Sequence, residues 1–136
     1  MSGKKYELTD TTITVDGHIL HRIRALRDFG DVKIGDLGGY VETGFNLSHG
    51  GRCWIYDSGA VYGDARVLDD ASVSDGARVY GRAMVYNYAR IHGVARIYGD
   101  ACVFETAQVY GDSHILSSAK IRGNSLVCGR TKTEDY

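Results

Sequence analysis

The sequence predicts an all-β protein in which short parallel strands coil into a solenoid, and three periodic features of its 136 residues indicate this fold. An aliphatic residue recurs at every sixth position from Ile55 to Val127 without exception. A small residue stands four positions after each aliphatic one, from Gly59 to Thr131. Most of the intervening turns carry Gly, Asp or Asn, the residues that tolerate a positive φ.

The repeated unit, written from its small residue, reads A-R-V-Y-G-D. Ala and Val lie two positions apart, so they face one side of a short strand while the residue between them faces the other. One unit cannot bury its Ala and Val alone, so neighbouring units must stack. A period of six does not match an α-helix, and the turn glycines would destabilise one. Glu105 and Ser117 depart from the turn pattern, and we expect strain or altered turns there.

The N-terminal segment predicts a β-hairpin. Ile13 and Val15 alternate with threonines, Asp16-Gly17 favours a tight turn, and His18 to Leu26 supplies the second strand. We assign residues 1–28 to this hairpin. It would cover the otherwise exposed end of the solenoid, because repeat proteins need capped ends for solubility.

The remaining boundaries follow from where the period breaks. Val41 and Leu47 lie six apart, but Leu47 and Ile55 lie eight apart, which indicates extra residues around His49-Gly50-Gly51. Residues 29–54 are therefore expected to form an irregular first coil, 55–132 a regular β-helix, and 133–136 a polar tail. A chain of this length suits one hydrophobic core, so all four segments belong to one domain.

The aliphatic-x-x-x-small-x pattern resembles the hexapeptide-repeat, left-handed parallel β-helix superfamily over about 80 of the 136 residues. That resemblance implies a left-handed β-helix in which three hexapeptides close one coil. The V-Y-G-[DN]-A-R form of the repeat, behind the opening RIRALRDFGDVKIGDLGGYVE, is similar to small uncharacterised proteins of bacteria and their prophages. This second resemblance implies a phage-encoded protein, and our hypothesis is that it binds or sequesters a host defence protein or an anionic ligand.

Stacked coils place outward residues in columns with about 4.8 Å between neighbours. One such column is basic, and the corner column beside it is aromatic. Their members are Ala60, Arg78, Arg96 and His114, and Tyr62, Tyr80, Tyr98 and Leu116. Like charges this close repel each other, which favours a counter-anion: an acidic partner protein, a phosphate, or a nucleotide held against the Tyr rings.

The candidate binding residues are therefore Tyr62, Tyr80, Tyr98, Arg78, Arg96 and His114. The alternative is that the Tyr column stiffens a corner of the coil while the Arg stems cover apolar surface and their charges stay in water. On that alternative the two columns bind nothing.

No catalytic or metal-binding pattern is visible in the sequence, and we expect no catalytic residue, metal or cofactor. Acyltransferases of the resembled superfamily use a histidine base between subunits, often beside a loop that leaves the coil, whereas the hexads here are unbroken from residue 55 onward. His92 falls at a corner and His114 within a strand of the next coil, so they are not an obvious pair. Without a nearby third histidine they do not reproduce the metal sites of carbonic-anhydrase-like members.

Composition restricts the class of protein further. A net charge of −1 and a pI near 6.5 argue against direct binding of nucleic acid or an anionic membrane. No apolar run approaches the roughly 18 residues that span a bilayer, and the start MSGKKYELTD lacks the apolar core of a secretory signal. We therefore expect a cytoplasmic protein of a bacterial host cell.

Three functions remain open. The first is a non-catalytic binding protein, the second a minimal hexapeptide-repeat acyltransferase, and the third a structural, self-assembling module. A homodimer or homotrimer is expected, because the flat faces carry Met84, Cys102, Leu126 and the Tyr columns. We favour the binding protein.

Overall fold

The computed structural model describes residues 4–128 and the backbone of the strand Lys132–Thr133. It confirms the predicted all-β parallel β-helix with an N-terminal hairpin. Three longer strands come first, β1 (Tyr6–Val15), β2 (His18–Ala25) and β3 (Leu37–Val41), and a short 3-10 helix covers Gly44–Asn46. The two-residue strands that follow are β4 (Trp54–Ile55), β5 (Ala60–Val61), β6 (Arg66–Val67), β7 (Ser72–Val73), β8 (Arg78–Val79), β9 (Met84–Val85), β10 (Arg90–Ile91), β11 (Arg96–Ile97), β12 (Cys102–Val103), β13 (Gln108–Val109), β14 (His114–Ile115), β15 (Lys120–Ile121), β16 (Leu126–Val127) and β17 (Lys132–Thr133).

Successive short strands lie on three faces in turn. The first face continues the hairpin in the order β1-β2-β3-β5-β8-β11-β14-β17, the second face has the order β16-β13-β10-β7-β4, and the third face has the order β15-β12-β9-β6. From β3 onward, neighbours on each face pair in parallel, for example Arg78 with Arg96 on the first face. One coil is therefore three hexads.

The core is a stack of the aliphatic and small residues of the repeat. Each strand turns its aliphatic residue and the small residue two positions before it inward, because side chains alternate along a strand. The aliphatic series from Ile55 to Ile121 is 0% exposed, as are the alanines from Ala65 to Ala107. Burying one such aliphatic side chain stabilises the fold by about 1.5–3 kcal/mol, so the stack is the principal source of stability.

Each corner of the coil between residues 57 and 123 turns through one residue in the left-handed region. The glycines at these corners have φ of 65° to 69°, and the non-glycine residues have φ of 58° or 59°. Glu105 and Ser117 adopt the same turn, with φ of 59° and 58°. The expectation of altered turns there is therefore wrong, because the stacked neighbours impose the common turn. The expected strain is present at both residues, because the left-handed conformation raises the free energy of a residue with a side chain by about 1–2 kcal/mol.

The hairpin closes the N-terminal end of the solenoid. Its turn lies at Asp16-Gly17 as predicted, with φ of 52° and 81°, and its first strand begins earlier than the sequence indicates, at Tyr6. Tyr6 and Ile23 join the same buried cluster as Trp54. The Tyr6 hydroxyl donates to the Leu47 carbonyl at 2.6 Å, which ties the hairpin to the first coil.

The first coil is irregular but still filled. Val41 and Leu47 are fully buried, and the buried Asn46 side chain replaces part of the missing ladder. Its Oδ1 accepts from the backbone N–H of Glu42, and its Nδ2 donates to the carbonyl of Ala65 at 2.8 Å. These bonds satisfy backbone groups that would otherwise be left unpaired in the core.

The assignment of residues 1–28, 29–54, 55–132 and 133–136 to four segments of one domain stays a prediction. Gly129, Thr131 and the side chains of the predicted tail 133–136 lie outside the described residues.

Glu42 links the hairpin to the first face and makes stability depend on pH. Its Oε2 lies 2.9 Å from His18 Nδ1, and its Oε1 accepts from the Gly63 N–H at 2.9 Å. The hydrogen bond with His18, assisted by that with Gly63, lowers the pKa of Glu42 below the ordinary value of 4.5, although partial burial opposes the shift. A carboxyl whose pKa is lower in the folded state stabilises the fold above its unfolded pKa, and this contribution is lost as pH falls through the folded pKa.

We expect the free energy of unfolding of Glu42→Gln to change less than that of the wild type between about pH 6 and about pH 3. Urea denaturation at several pH values, followed by circular dichroism, measures the difference. Glu7→Gln, which removes an exposed carboxylate paired with Arg24, is the control. Parallel pH profiles for wild type and Glu42→Gln would contradict the expectation.

Candidate binding site

The first face brings the predicted basic residues into one column. Ala60 pairs with Arg78, Arg78 with Arg96, and Arg96 with His114, each as the outward residue of its strand. Arg78 and Arg96 are half-buried and His114 is exposed. Within the described part of the chain, no carboxylate lies within ion-pair distance of Arg78 or Arg96. Two arginines in register on neighbouring strands thus leave a surface that favours negative charge.

The aromatic column stacks beside the basic one. The ring centroids of Tyr62 and Tyr80 lie 5.1 Å apart with planes 6° from parallel, and those of Tyr80 and Tyr98 lie 5.0 Å apart at 3°. His114 meets the Tyr98 ring edge-on at 6.1 Å, and its Nδ1 lies 3.4 Å from the Tyr98 hydroxyl oxygen. The two columns therefore join at His114 into one continuous surface, which we call the Arg/Tyr ladder: Arg78, Arg96, His114, Tyr80 and Tyr98.

Tyr62, also a predicted binding residue, lies beneath the hairpin. It is only 2% exposed, its hydroxyl donates to Asp16 Oδ2 at 2.8 Å, and the His18 ring lies 5.1 Å from its own. Burial and then the hydrogen bond to Asp16 raise the pKa of Tyr62, so the phenol stays protonated. Tyr62 therefore anchors the hairpin, and the accessible part of the aromatic column begins at Tyr80.

Tyr80 is subject to opposing electrostatic influences. Partial burial raises its pKa, and the neighbouring Tyr98 adds to this, whereas the charges of Arg96 and Arg78 oppose it. The phenol is therefore neutral at physiological pH while both guanidinium groups are charged. A neutral ring beside two cations offers a flat apolar contact and two hydrogen-bonding forks, the geometry that carboxylates and phosphates accept.

A groove on the second face was not predicted. A cavity of about 420 Å³ is lined by Asp31, Tyr56, Asp57, Ser72, Ser74, Asp75, Arg90 and His92. The Tyr56 hydroxyl donates to Asp31 Oδ1 at 2.7 Å, which holds the loop before β3 over the face. No sequence period relates Asp31 to Tyr56. The repeat therefore could not predict that Asp31 lines this groove. Its lining holds three carboxylates and one arginine, so its excess of negative charge does not suit an anion.

The structure keeps His92, His114 and His49 in separate places. His92 follows β10 on the second face and stacks on Tyr110 at 4.9 Å, whereas His114 lies on the first face. His49 lies at the N-terminal end, stacked on Tyr6 at 4.2 Å. Among residues 4–128, no group of three or more His, Cys, Asp or Glu side chains could hold a metal ion.

No helix within the described residues has the length and hydropathy needed to cross a membrane.

Comparison with known proteins supports the repeat. A family described as the YdcK β-solenoid repeat matches residues 77–93, which contain one strand of each face. The chain is also similar to a protein of Escherichia coli strain K12 named an uncharacterised acetyltransferase, YdcK, with 42% identity over 43 residues. That match covers 32% of this chain and only 13% of the relative, so the chain spans a small part of that protein's length.

Proposed function

We propose that this β-solenoid is a non-catalytic binding module that docks an acidic protein surface against its Arg/Tyr ladder. The proposal rests on Arg78 and Arg96, which pair in register on neighbouring strands and form no ion pair with a carboxylate among the described residues. An external set of carboxylates would relieve their mutual repulsion and complete their hydrogen bonds.

The shape of the ladder favours a macromolecule over a small anion. Its side chains follow three successive strands of one sheet, at about 4.8 Å intervals, rather than converging on one point. Small ligands are usually held in concave sites with converging polar groups, whereas protein partners are held by extended faces. Arginine and tyrosine are also the residue types most enriched at the centres of protein interfaces.

Because the chain resembles prophage proteins, the proposed natural partner is a host protein. The two proteins would meet in the cytoplasm. Homo-oligomers remain part of the proposal, since Leu126 is 62% exposed on the second face, and sedimentation at several concentrations would reveal them. Neither extension is needed for the docking test below.

The test uses polyglutamate as a probe for an acidic protein surface. We expect the immobilised polymer to bind wild-type protein at low salt, and Arg78→Glu with Arg96→Glu to weaken binding by about 100-fold or more, since facing like charges costs several kcal/mol. Biolayer interferometry measures the affinity. Circular dichroism should show an intact coil, because both side chains point outward.

The matched control is Lys120→Glu with Arg122→Glu, which changes the net charge equally. Both residues are exposed, on and next to β15 of the third face. We expect this variant to bind almost as well as the wild type. Equal losses in the two double variants, or no binding of wild-type protein, would overturn the proposal. Competition by ATP at the same residues would replace it with a small-anion site.

Acetyl transfer is the second candidate, and it rests on the name of the Escherichia coli relative. Turnover of acetyl-CoA by the wild type that is lost in His92→Ala or His114→Ala would favour it over the binding module.

A further inference from the structure

A buried lysine and a buried cysteine meet where the hairpin joins the first coil. Lys5 and Cys53 are both 0% exposed. The Lys5 Nζ donates to the Cys53 carbonyl at 2.7 Å and to the Gly50 carbonyl at 3.3 Å, and it lies 3.3 Å from Cys53 Sγ. The Phe29 ring covers the amine, with its centroid 5.0 Å from Nζ. The amine and the thiol are thus held in contact by packing on all sides.

The surroundings favour the uncharged form of both groups. Burial lowers the pKa of Lys5, against the attraction of Cys53, and burial raises the pKa of Cys53, against the attraction of Lys5. No carboxylate forms an ion pair with Lys5 among the described residues, as would be usual for a buried lysine. An uncharged amine keeps a lone pair on nitrogen, which makes it available for bond formation.

We propose that Lys5 and Cys53 are the site of a reversible covalent bridge in which one oxygen atom links Nζ to Sγ. The oxidant is molecular oxygen. The N–H and S–H bonds break, N–O and O–S bonds form, and the O=O bond is cleaved. One oxygen atom becomes the bridge, and the other leaves as water with the two hydrogen atoms. Nitrogen and sulfur together lose the four electrons that reduce the oxygen molecule.

The observed separation suits insertion of an oxygen atom. The 3.3 Å between Nζ and Sγ must shorten only modestly to admit an oxygen between them, whereas a direct S–N bond would require a larger shift of packed groups. Local opening of the chain around Lys5 would admit oxygen to the buried pair. The bridge would join residues 48 positions apart and fasten the hairpin covalently to the solenoid.

Intact-mass spectrometry of the full chain tests this inference independently of any binding function. Oxygen-saturated wild-type protein should gain one oxygen atom and lose two hydrogen atoms, and the modified peptide should contain both Lys5 and Cys53. Two equivalents of dithiothreitol supply the four hydrogen atoms that restore the amine, the thiol and one water. The bridged protein should also melt at a higher temperature than the reduced one.

Substitutions locate the bridge. Cys53→Ser and Lys5→Met should abolish the mass change. Cys102→Ser should retain it, although Cys102 pairs with Lys120 across neighbouring strands, because that thiol is partly exposed and donates to the Asp100 carbonyl. Oxygen-treated wild-type protein without the cross-linked peptide would overturn the proposal, whatever the variants do. A cross-link that lacks the oxygen atom, or one that persists in Cys53→Ser, would overturn it as well.

Discussion

Gly39→Ala is expected to lower the free energy of unfolding by more than about 3 kcal/mol. A Cβ atom at this position would lie 2.3 Å from the Gly59 carbonyl oxygen and 2.4 Å from Ile55 Cγ2. Gly39 belongs to β3, where the hairpin meets the first coil, and the next residue, Tyr40, donates to that same Gly59 carbonyl at 2.9 Å. Neither neighbour can yield without breaking the ladder or opening the core.

The matched control is Gly76→Ala. Its added Cβ atom would meet Val94 Cγ1 at 3.6 Å, an ordinary van der Waals contact, and Gly76 does not have a positive φ. We expect this variant to stay within about 1 kcal/mol of the wild type. Urea denaturation followed by far-ultraviolet circular dichroism measures both. Similar stabilities for the two variants would show that β3 and the first coil can separate at little cost.

Ile97→Ala is expected to cost about 2–5 kcal/mol. Ile97 is 0% exposed and lies between Val79 and Ile115, its partners in the coils on either side. The backbone hydrogen bonds of both neighbouring coils hold the surrounding walls in place, so the cavity cannot close by collapse. Because each coil contacts only its neighbours, a defect in the middle also weakens the coupling between the two halves of the solenoid.

Val94→Ala provides the comparison for Ile97→Ala. Val94 is 51% exposed at a corner of the same coil, so removing its methyl groups should change stability by less than about 0.5 kcal/mol. Guanidinium denaturation of both variants measures the difference. A loss at Ile97 no larger than at Val94 would mean that the inner stack contributes far less than its burial indicates.

The repeat accounts for most of what could be predicted. A period of six with three faces brings residues three hexads apart into register, so the pairing of Arg78 with Arg96 and the stacking of Tyr80 on Tyr98 follow from position alone. The inward position of the aliphatic series follows in the same way. Of the two alternatives expected at Glu105, strain or an altered turn, the structure shows the common left-handed turn, because the local residue preference is weaker than the geometry that the stacked coils impose.

The covered state of Tyr62, the groove wall at Asp31 and the contact of Lys5 with Cys53 could not be predicted. Each joins the aperiodic segment before residue 54 to the coil or to itself, over separations of 46, 25 and 48 residues. A hairpin pattern in the sequence indicates that two strands pair, but it does not indicate the surface on which the hairpin packs.

The sequence by itself determined the β-helix, its inner stack and the column that carries Arg78 and Arg96, because stacking turns a local period into a three-dimensional lattice. Only the tertiary structure decided which part of that column stays accessible and which polar groups meet inside the cap. These contacts depend on how the non-repeating segment before residue 54 packs on the end of the stacked coils. Docking is settled by the complementarity of whole surfaces, which residue spacing along the chain does not encode.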